Sequence, residues 1–421
     1  MFREINHFFE YLNTDNDGKI IRDRVVIIIL VIIFAIIFNR FVLSPLVSDD
    51  LKVSFIQSKL LFVNGKSPYD QEIQKYIKGI AEDDGWVLNT KFEFGYPIFQ
   101  LLIYLPFAVI PNYLWASAFF LTINQVCIVL ITHMLFQMLE WKPKIVERIS
   151  VYLLSAAVFF IQVNMFSGNT SIIQLTFIVA VLYYEEDKKL ILSGIFLGLS
   201  FIDPISMLFA IITLLIIFIT KKEFTIIIWF IITIGLLSVF VTIFAKNWII
   251  GWLKNIVLSP SRFPFITYID GIQMKYGVQV NKLFVIIPII LTSWLIVEVI
   301  RTAKETTGEK IWLLSISGLI NYYVILQPDQ YAAVLFFPSL ILLISVWWKK
   351  INNFGKIIFY ILLAAMSIVI ILLNIFSLIT ISVQVAANIL LGVAILFLTN
   401  LYWARSWIVR PYNISDSEKY S

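Results

Sequence analysis

Residues 25 to 43 read VVIIILVIIFAIIFNRFVL, an apolar run whose only polar members are Asn39 and Arg40. At about 1.5 Å rise per residue it spans roughly 28 Å as a helix, enough to cross the hydrocarbon core of a bilayer. Further runs follow at 112–139, 148–166, 171–184, 190–202, 204–220, 224–245, 281–299, 311–327, 329–347, 356–376 and 380–402. With 60% apolar and 14% charged residues in 421, the chain stands far from a soluble domain, where about a quarter of residues are charged. The expectation is an all-α integral membrane protein, a polytopic bundle of about twelve transmembrane helices.

The basic residues set its orientation. If Arg22 and Arg24 are cytoplasmic, so are the clusters WKPKIVER, EEDKK, KKE, RTAKETTGEK and WWKK with Lys356, and the tail with Arg405 and Arg410. Every short basic loop then falls on one side, as the positive-inside rule requires. The opposite, outer side receives loops 44–111 and 246–280, with the short connections SGNTS, DP and QPDQ. This holds only if Tyr96 to Pro111 does not cross; it is short, contains Pro106, and is bounded by Pro97 and Pro111. It reads as an outer-leaflet interfacial helix. Three parts result: a cytoplasmic segment 1–24, a membrane domain 25–403, and a cytoplasmic tail 404–421. The segments 171–184 and 190–202 are shorter than an ordinary span, and short or broken membrane helices mark a cavity.

Several chemistries are excluded. The net charge of +5 comes from basic residues that act as topology signals, so no nucleic-acid partner is expected. A lone cysteine, Cys127, permits neither an intrachain disulfide nor a thiolate metal cluster. His7 and His133 are too few and too far apart for a zinc site or a Ser-His-Asp triad. The polar stretch before Val25 is unlike a cleaved signal peptide, so the first run is expected to remain as an anchor.

Asp49 and Asp50 lie just past the end of the first run, at the outer interface, and DLKVSFIQSKLLFV after them suits an amphipathic helix on the membrane surface. One reading makes both carboxylates caps that face water, with Asp50 the N-cap. The other makes one of them a general base where a lipid-borne substrate meets an aqueous hydroxyl. Capping accounts for one carboxylate more readily than for two. The polar residues Asn124, Gln125, Asn164, Gln174 and Asn321 within spans read as interhelical hydrogen-bonding groups. Glu298 reads as a solvated partner of Arg301, and Trp347, Trp348 and Trp403 as interface anchors.

The order of motifs carries a resemblance. An Asp after the first span, then NGKSPYD, FGYPIFQLLIYLPFAVIP, WASAFFLTINQ, SGNTSIIQLTFIVAVLYY, LSGIFLGLSFIDPISMLFAIITLL and INYYVILQPDQYAAVLFFPSLILLI resemble the polyprenol-phosphate-dependent glycosyltransferases of the GT-C fold, most closely glycosyltransferase family 87. The likeness covers most of residues 25–347. It implies a hexose, mannose in that group, transferred with inversion from a polyprenyl-phosphate donor to a lipid, glycan or protein acceptor. The face implied is the outer one of a prokaryotic plasma membrane. It implies Asp50 as the base, with Asp49 as the alternative, and no cofactor or metal. Arg262, Lys275 and Arg40 are the candidates for the leaving phosphate; Gln330, Tyr331, Asn169, Asp203 and Tyr96 are those for phosphate or sugar. Two positions depart from the family pattern: Asp203 replaces a basic residue before the proline, and Asp329, Gln330 and Tyr331 stand where members carry His. The competing classes are a transporter or flippase for lipid-linked sugars and a polysaccharide polymerase; no inverted repeat and few ionisable groups within spans speak against the carriers.

Cysteines placed at Lys66 and Lys304 should label from opposite sides of the membrane with an impermeant maleimide. Labelling from the same side overturns the orientation.

Overall fold

The computed structural model describes residues 16–86, 97–204, 206–258, 286–302, 306–324, 330–348, 357 and 395–405. Regular structure among them is helical throughout. In chain order the helices are α1 (Asn16–Phe38), α2 (Asp50–Asn64), α3 (Gln71–Asp83), α4 (Leu101–Ala108), α5 (Tyr113–Met138), α6 (Ile145–Ala157), α7 (Phe159–Ser167) and α8 (Ser171–Glu186). They continue with α9 (Leu190–Leu199), α10 (Leu208–Thr220), α11 (Phe224–Thr242), α12 (Trp248–Leu258), α13 (Ile286–Thr302), α14 (Thr307–Val324) and α15 (Phe336–Trp348).

Among the described residues, three helical stretches are long and apolar enough to cross a membrane: Val25–Leu46, Tyr113–Met138 and Phe224–Thr242. Helices α6 and α7, expected as one run over 148–166, pass that test only as a pair, bent by 54° at Val158, whose ψ of 135° is extended. The protein is therefore a multi-pass membrane protein whose described residues carry helical structure alone. The segments 356–376 and most of 380–402, expected as spans, lie outside the described residues. Among the described residues from Pro97 to Pro111 the helical stretch is Ile98–Ala108, roughly 16 Å long at 1.5 Å per residue and far short of the hydrocarbon core.

Most of α1 is open to its surroundings, with Phe34 69% exposed, as suits a helix facing lipid. It is pinned at its end, where Asn39 opens a π-helical turn, Asn39–Leu43. The Asn39 amide donates to Thr122 Oγ1 (2.9 Å) and exchanges hydrogen bonds with Gln125 (3.0 and 3.1 Å). At the other extreme, α8 is buried along most of its length: Ile172, Leu175, Ile178, Val179, Val181 and Leu182 are fully enclosed. Helices α9 and α11 meet at Gly194 and Gly198. A Cβ at Gly194 would fall 2.6 Å from the Ile226 carbonyl oxygen, and one at Gly198 would fall 2.5 Å from Thr233 Cβ. Two small residues one turn apart let these backbones approach as membrane helices do.

The span polar residues divide. Asn124 and Asn164 donate within their own helices, to Phe120 O and Phe160 O, whereas Gln125, Gln174 and Asn321 bridge separate elements. Glu298 is not a solvated partner of Arg301: it is buried and pairs with Arg405 at 2.6 Å, whose guanidinium lies over Trp312. Packing of residue 405 against α13 and α14 removes the water that the sequence reading assumed.

A charged cluster closes the far end of α8. Glu185, just past the run 171–184, binds Lys221 after α10 at 2.9 Å and Lys310 in the first turn of α14. Glu185 and Lys310 are 1% and 3% exposed. Burial pushes the Glu185 carboxyl up, but Lys310 and then Lys221 outweigh it and hold it below its ordinary range. Burial lowers Lys310 and outweighs its partner.

A carboxyl held low in the folded state stabilises that state above its unfolded value near 4.5 and loses the contribution as pH falls through the folded value. Lys310→Met should remove the more buried of the two partners of Glu185, leave Lys221 as its remaining counter-charge, and lower stability by less than about 3–5 kcal/mol, the cost of a fully stranded buried charge. Glu185→Gln should be less stable than wild type at pH 7 yet lose less on acidification. Thermal unfolding in mild detergent from pH 7 to pH 3 measures both.

Candidate active site

The chain turns sharply after the first span. Pro45 sits in a 3-10 turn, Ser44–Leu46, and Val47 is extended, so α2 starts at Asp50. Neither carboxylate does the capping expected of it. Asp49 occupies the cap position with no side-chain cap hydrogen bond. The first amides are met otherwise: Asp50 N–H by Ser48 Oγ (3.2 Å), Leu51 N–H by Ser48 O (3.2 Å), and Lys52 and Val53 N–H by Asp49 O (2.9 and 3.3 Å). The Ser48 hydroxyl donates to Asp50 Oδ2 at 2.8 Å.

This division separates the two acids. Asp49 pairs with Lys52 at 2.7 Å, one helical turn on. Asp50 is 8% exposed and does not face water. One face of α2 packs on protein: Leu51, Phe55, Gln57, Ser58 and Leu61 are buried, and Ser58 Oγ donates to Leu101 O at 2.9 Å, tying it to α4. Phe55 sits among the rings of Tyr104, Phe107, Tyr113 and Phe120.

The turn between α7 and α8 presses on this corner. Ser48 N–H donates to Phe166 O at 2.8 Å, and Gly168, with φ of +72°, lies so near α2 that a Cβ would fall 2.5 Å from Leu51 Cβ. Tyr104 donates to Gly168 O at 3.1 Å, and Gln100 donates to Thr170 Oγ1 at 3.1 Å. Asn169 Oδ1 accepts from Ser171 N–H (2.9 Å) and Ser171 Oγ (2.7 Å), which fixes the start of α8.

Asp203 is not an exposed turn residue. It is 1% exposed and accepts from the Ser206 hydroxyl and from Ser206 N–H. Gln174 donates to Ser200 O and to Asp203 O at 2.7 Å, while Asn321 donates to Ser206 O (2.8 Å) and accepts from Phe209 N–H (3.1 Å). The Tyr104 phenol lies in the electrostatic field of both Asp203 and Asp50. Tyr104 thus reaches the turn before α8 through Gly168 O, the residue next to Asn169.

The other expected residues scatter. Arg40 lies over the rings of Phe41 and Trp115, at 5.4 and 5.6 Å. Gln330 and Tyr331 open the 3-10 run Gln330–Leu335, which packs against α7, α8 and α14. Tyr96, Arg262 and Lys275 lie outside the described residues. Among the described residues, no group of three or more His, Cys, Asp or Glu side chains gathers. Sequence reasoning missed Ser48, Lys52, Tyr104, Tyr113 and Gly168; only Lys52, three residues after Asp49, carried a local signal.

A buried carboxylate with one hydroxyl donor, an ammonium nearby and a wall of aromatic rings can accept a proton from a bound hydroxyl while an apolar chain lies alongside. A model of glycosyltransferase family 87 matches residues 94–318, more than half of the 421. The chain belongs to glycosyltransferase family 87. Neither a curated protein nor a solved structure matches it significantly. The family 87 match takes in the Tyr104 helix, the Gly168 turn and Asp203 and begins after Asp49, Asp50 and Lys52.

Gly168→Ala must accommodate both a left-handed backbone and contact with Leu51, whereas Gly65, at φ of +65°, has open space around it. Gly168→Ala should therefore cost at least about 1 kcal/mol more than Gly65→Ala. Unfolding midpoints of the two variants measure the difference, and equal costs would contradict the docking described.

Proposed function

We propose that this family 87 protein moves a hexose, mannose in the first instance, from a polyprenyl monophosphate to a lipid, glycan or protein hydroxyl. The face is the extracytoplasmic one of a prokaryotic plasma membrane, and both termini are cytoplasmic. Asp50 takes the proton of the acceptor hydroxyl as its oxygen bonds to the anomeric carbon. The bond from that carbon to the phosphate oxygen breaks, and the polyprenyl phosphate leaves with the electron pair, so configuration inverts. The observation that carries this reading is the burial of Asp50 at the end of a membrane span, with Ser48 oriented on its carboxylate. Asp49, in an ion pair with Lys52, is the alternative base.

Arg40, Arg262 and Lys275 are the candidates to receive the charge developing on the phosphate, where charge-assisted hydrogen bonds are strongest. Asn169, Asp203, Gln330, Tyr331 and Tyr96 are the candidates to orient phosphate and sugar. A phosphate-monoester leaving group needs no metal, and loss of activity to a chelator would overturn that part.

Purified protein incubated with a panel of polyprenyl-phosphate hexoses should give a glycosylated product by mass spectrometry; no transfer from any donor would overturn the reading. Asp50→Asn should lower the rate by roughly 10² to 10⁴, the usual worth of a general base, with a smaller loss in Asp49→Asn. Full activity in both would remove the base assignment.

A further inference from the structure

Resting on that reading, we infer that the Lys52 ammonium, held between Asp49 and the rings of Trp86 and Tyr113, binds the phosphate of the lipid-linked donor. The end of α2 looks at first like an anion site by itself, since helix N-termini attract phosphate. Its backbone donors are consumed, however: the N–H groups of residues 50 to 53 all have partners in Ser48 and Asp49. An anion brought there also meets two carboxylates. Only a side-chain cation can hold it.

Lys52 is that cation. Its Nζ lies 2.7 Å from Asp49, 5.3 Å from the Trp86 ring centre and 5.1 Å from that of Tyr113. Three contacts fix the ammonium, while the side chain stays 29% exposed, so one flank is open to a ligand. An ammonium has three donors, and Asp49 can take one without exhausting them. Lys59, Lys66, Lys75 and Lys78 of the same loop are exposed, and none of them shows this pairing of a short ion pair with two ring faces.

Placement relative to the base fits an inverting displacement. Asp50 and Lys52 leave α2 two residues apart, roughly 200° around the axis at 3.6 residues per turn. Side chains of a helix tilt toward its N-terminus, so both lean over the same end. Tyr113 joins the two flanks: its hydroxyl donates to Ser48 O at 3.4 Å, its ring lies beneath Lys52, and its phenol lies in the field of Asp49 and Asp50. Attack and departure occur on opposite faces of the anomeric carbon, and the helix end offers a base on one flank and a cation on the other.

The test uses the full chain in detergent, with farnesyl phosphate as the lipid monophosphate, phosphatidylglycerol as a bulk-lipid phosphate, and inorganic phosphate. Lys52→Gln should weaken farnesyl phosphate binding roughly ten- to a hundredfold, the worth of a hydrogen bond to a charged group. Lys52→Arg should retain it within a few-fold, and Asp49→Asn should bind no more weakly than wild type. Equal weakening in Lys52→Gln and Asp49→Asn would make the pair a structural strut and overturn the assignment. Equal loss of phosphatidylglycerol binding would make Lys52 a lipid anchor and overturn it likewise. In the wild-type protein, farnesyl phosphate should protect Lys52, but not Lys59, from an amine-reactive label read by mass spectrometry. Absence of protection overturns the proposal even if Lys52→Gln does not fold. Binding through Lys52 without sugar transfer would sink the transferase reading and leave this site standing.

Discussion

The contact between the turn at residues 166–170 and the corner at residues 48–51 is the interaction from which the rest of the site follows. One amide, Ser48 N–H, is satisfied by Phe166 O, and one glycine, Gly168, lies against Leu51 with no room for a side chain. Ser48 is thereby held where its hydroxyl meets Asp50. A membrane helix end has few other means of fixing a carboxylate. Water would compete for it at the interface, and lipid offers no partner at all.

Burial is distributed unequally for a reason. Helix α8, buried along most of its length, carries polar anchorage at both ends: Asn169 with Ser171 at one, Glu185 with two lysines at the other. The ends lie roughly 21 Å apart along a 1.5 Å rise. Remote segments are tied to this element near both ends, Gln100 at Thr170 and Lys221 with Lys310 at Glu185, and the apolar stretch between supplies packing without direction. Specific register comes from the polar ends, because Ile, Leu and Val side chains alone tolerate sliding and repacking.

Asp203 shows the same economy. A carboxylate inside a membrane protein is costly unless hydrogen-bonded, and Ser206 supplies both a hydroxyl and an amide to it. Gln174 and Asn321 then bind the backbone on either side of it. Three helices converge on the break after α9, and the short helices that the sequence marked as irregular are irregular for this purpose.

Read alone, the sequence determined the helical membrane class, the sharp exit after the first span, the acidic pair at that exit and, through the order of its motifs, the family. These are local properties: an apolar run of span length has few other fates, and a proline turn acts on its own neighbours. It did not determine that Asp49 pairs with Lys52, that α2 packs against α4, or that Asp203 and Glu298 are enclosed. Those depend on residues remote in the chain, such as Tyr113 beneath Lys52, Phe166 at Ser48 and Arg405 at Glu298. Adjacent Asp49 and Asp50 have nearly the same local chemistry, and only the tertiary packing around them placed one in an ion pair and buried the other beside a serine.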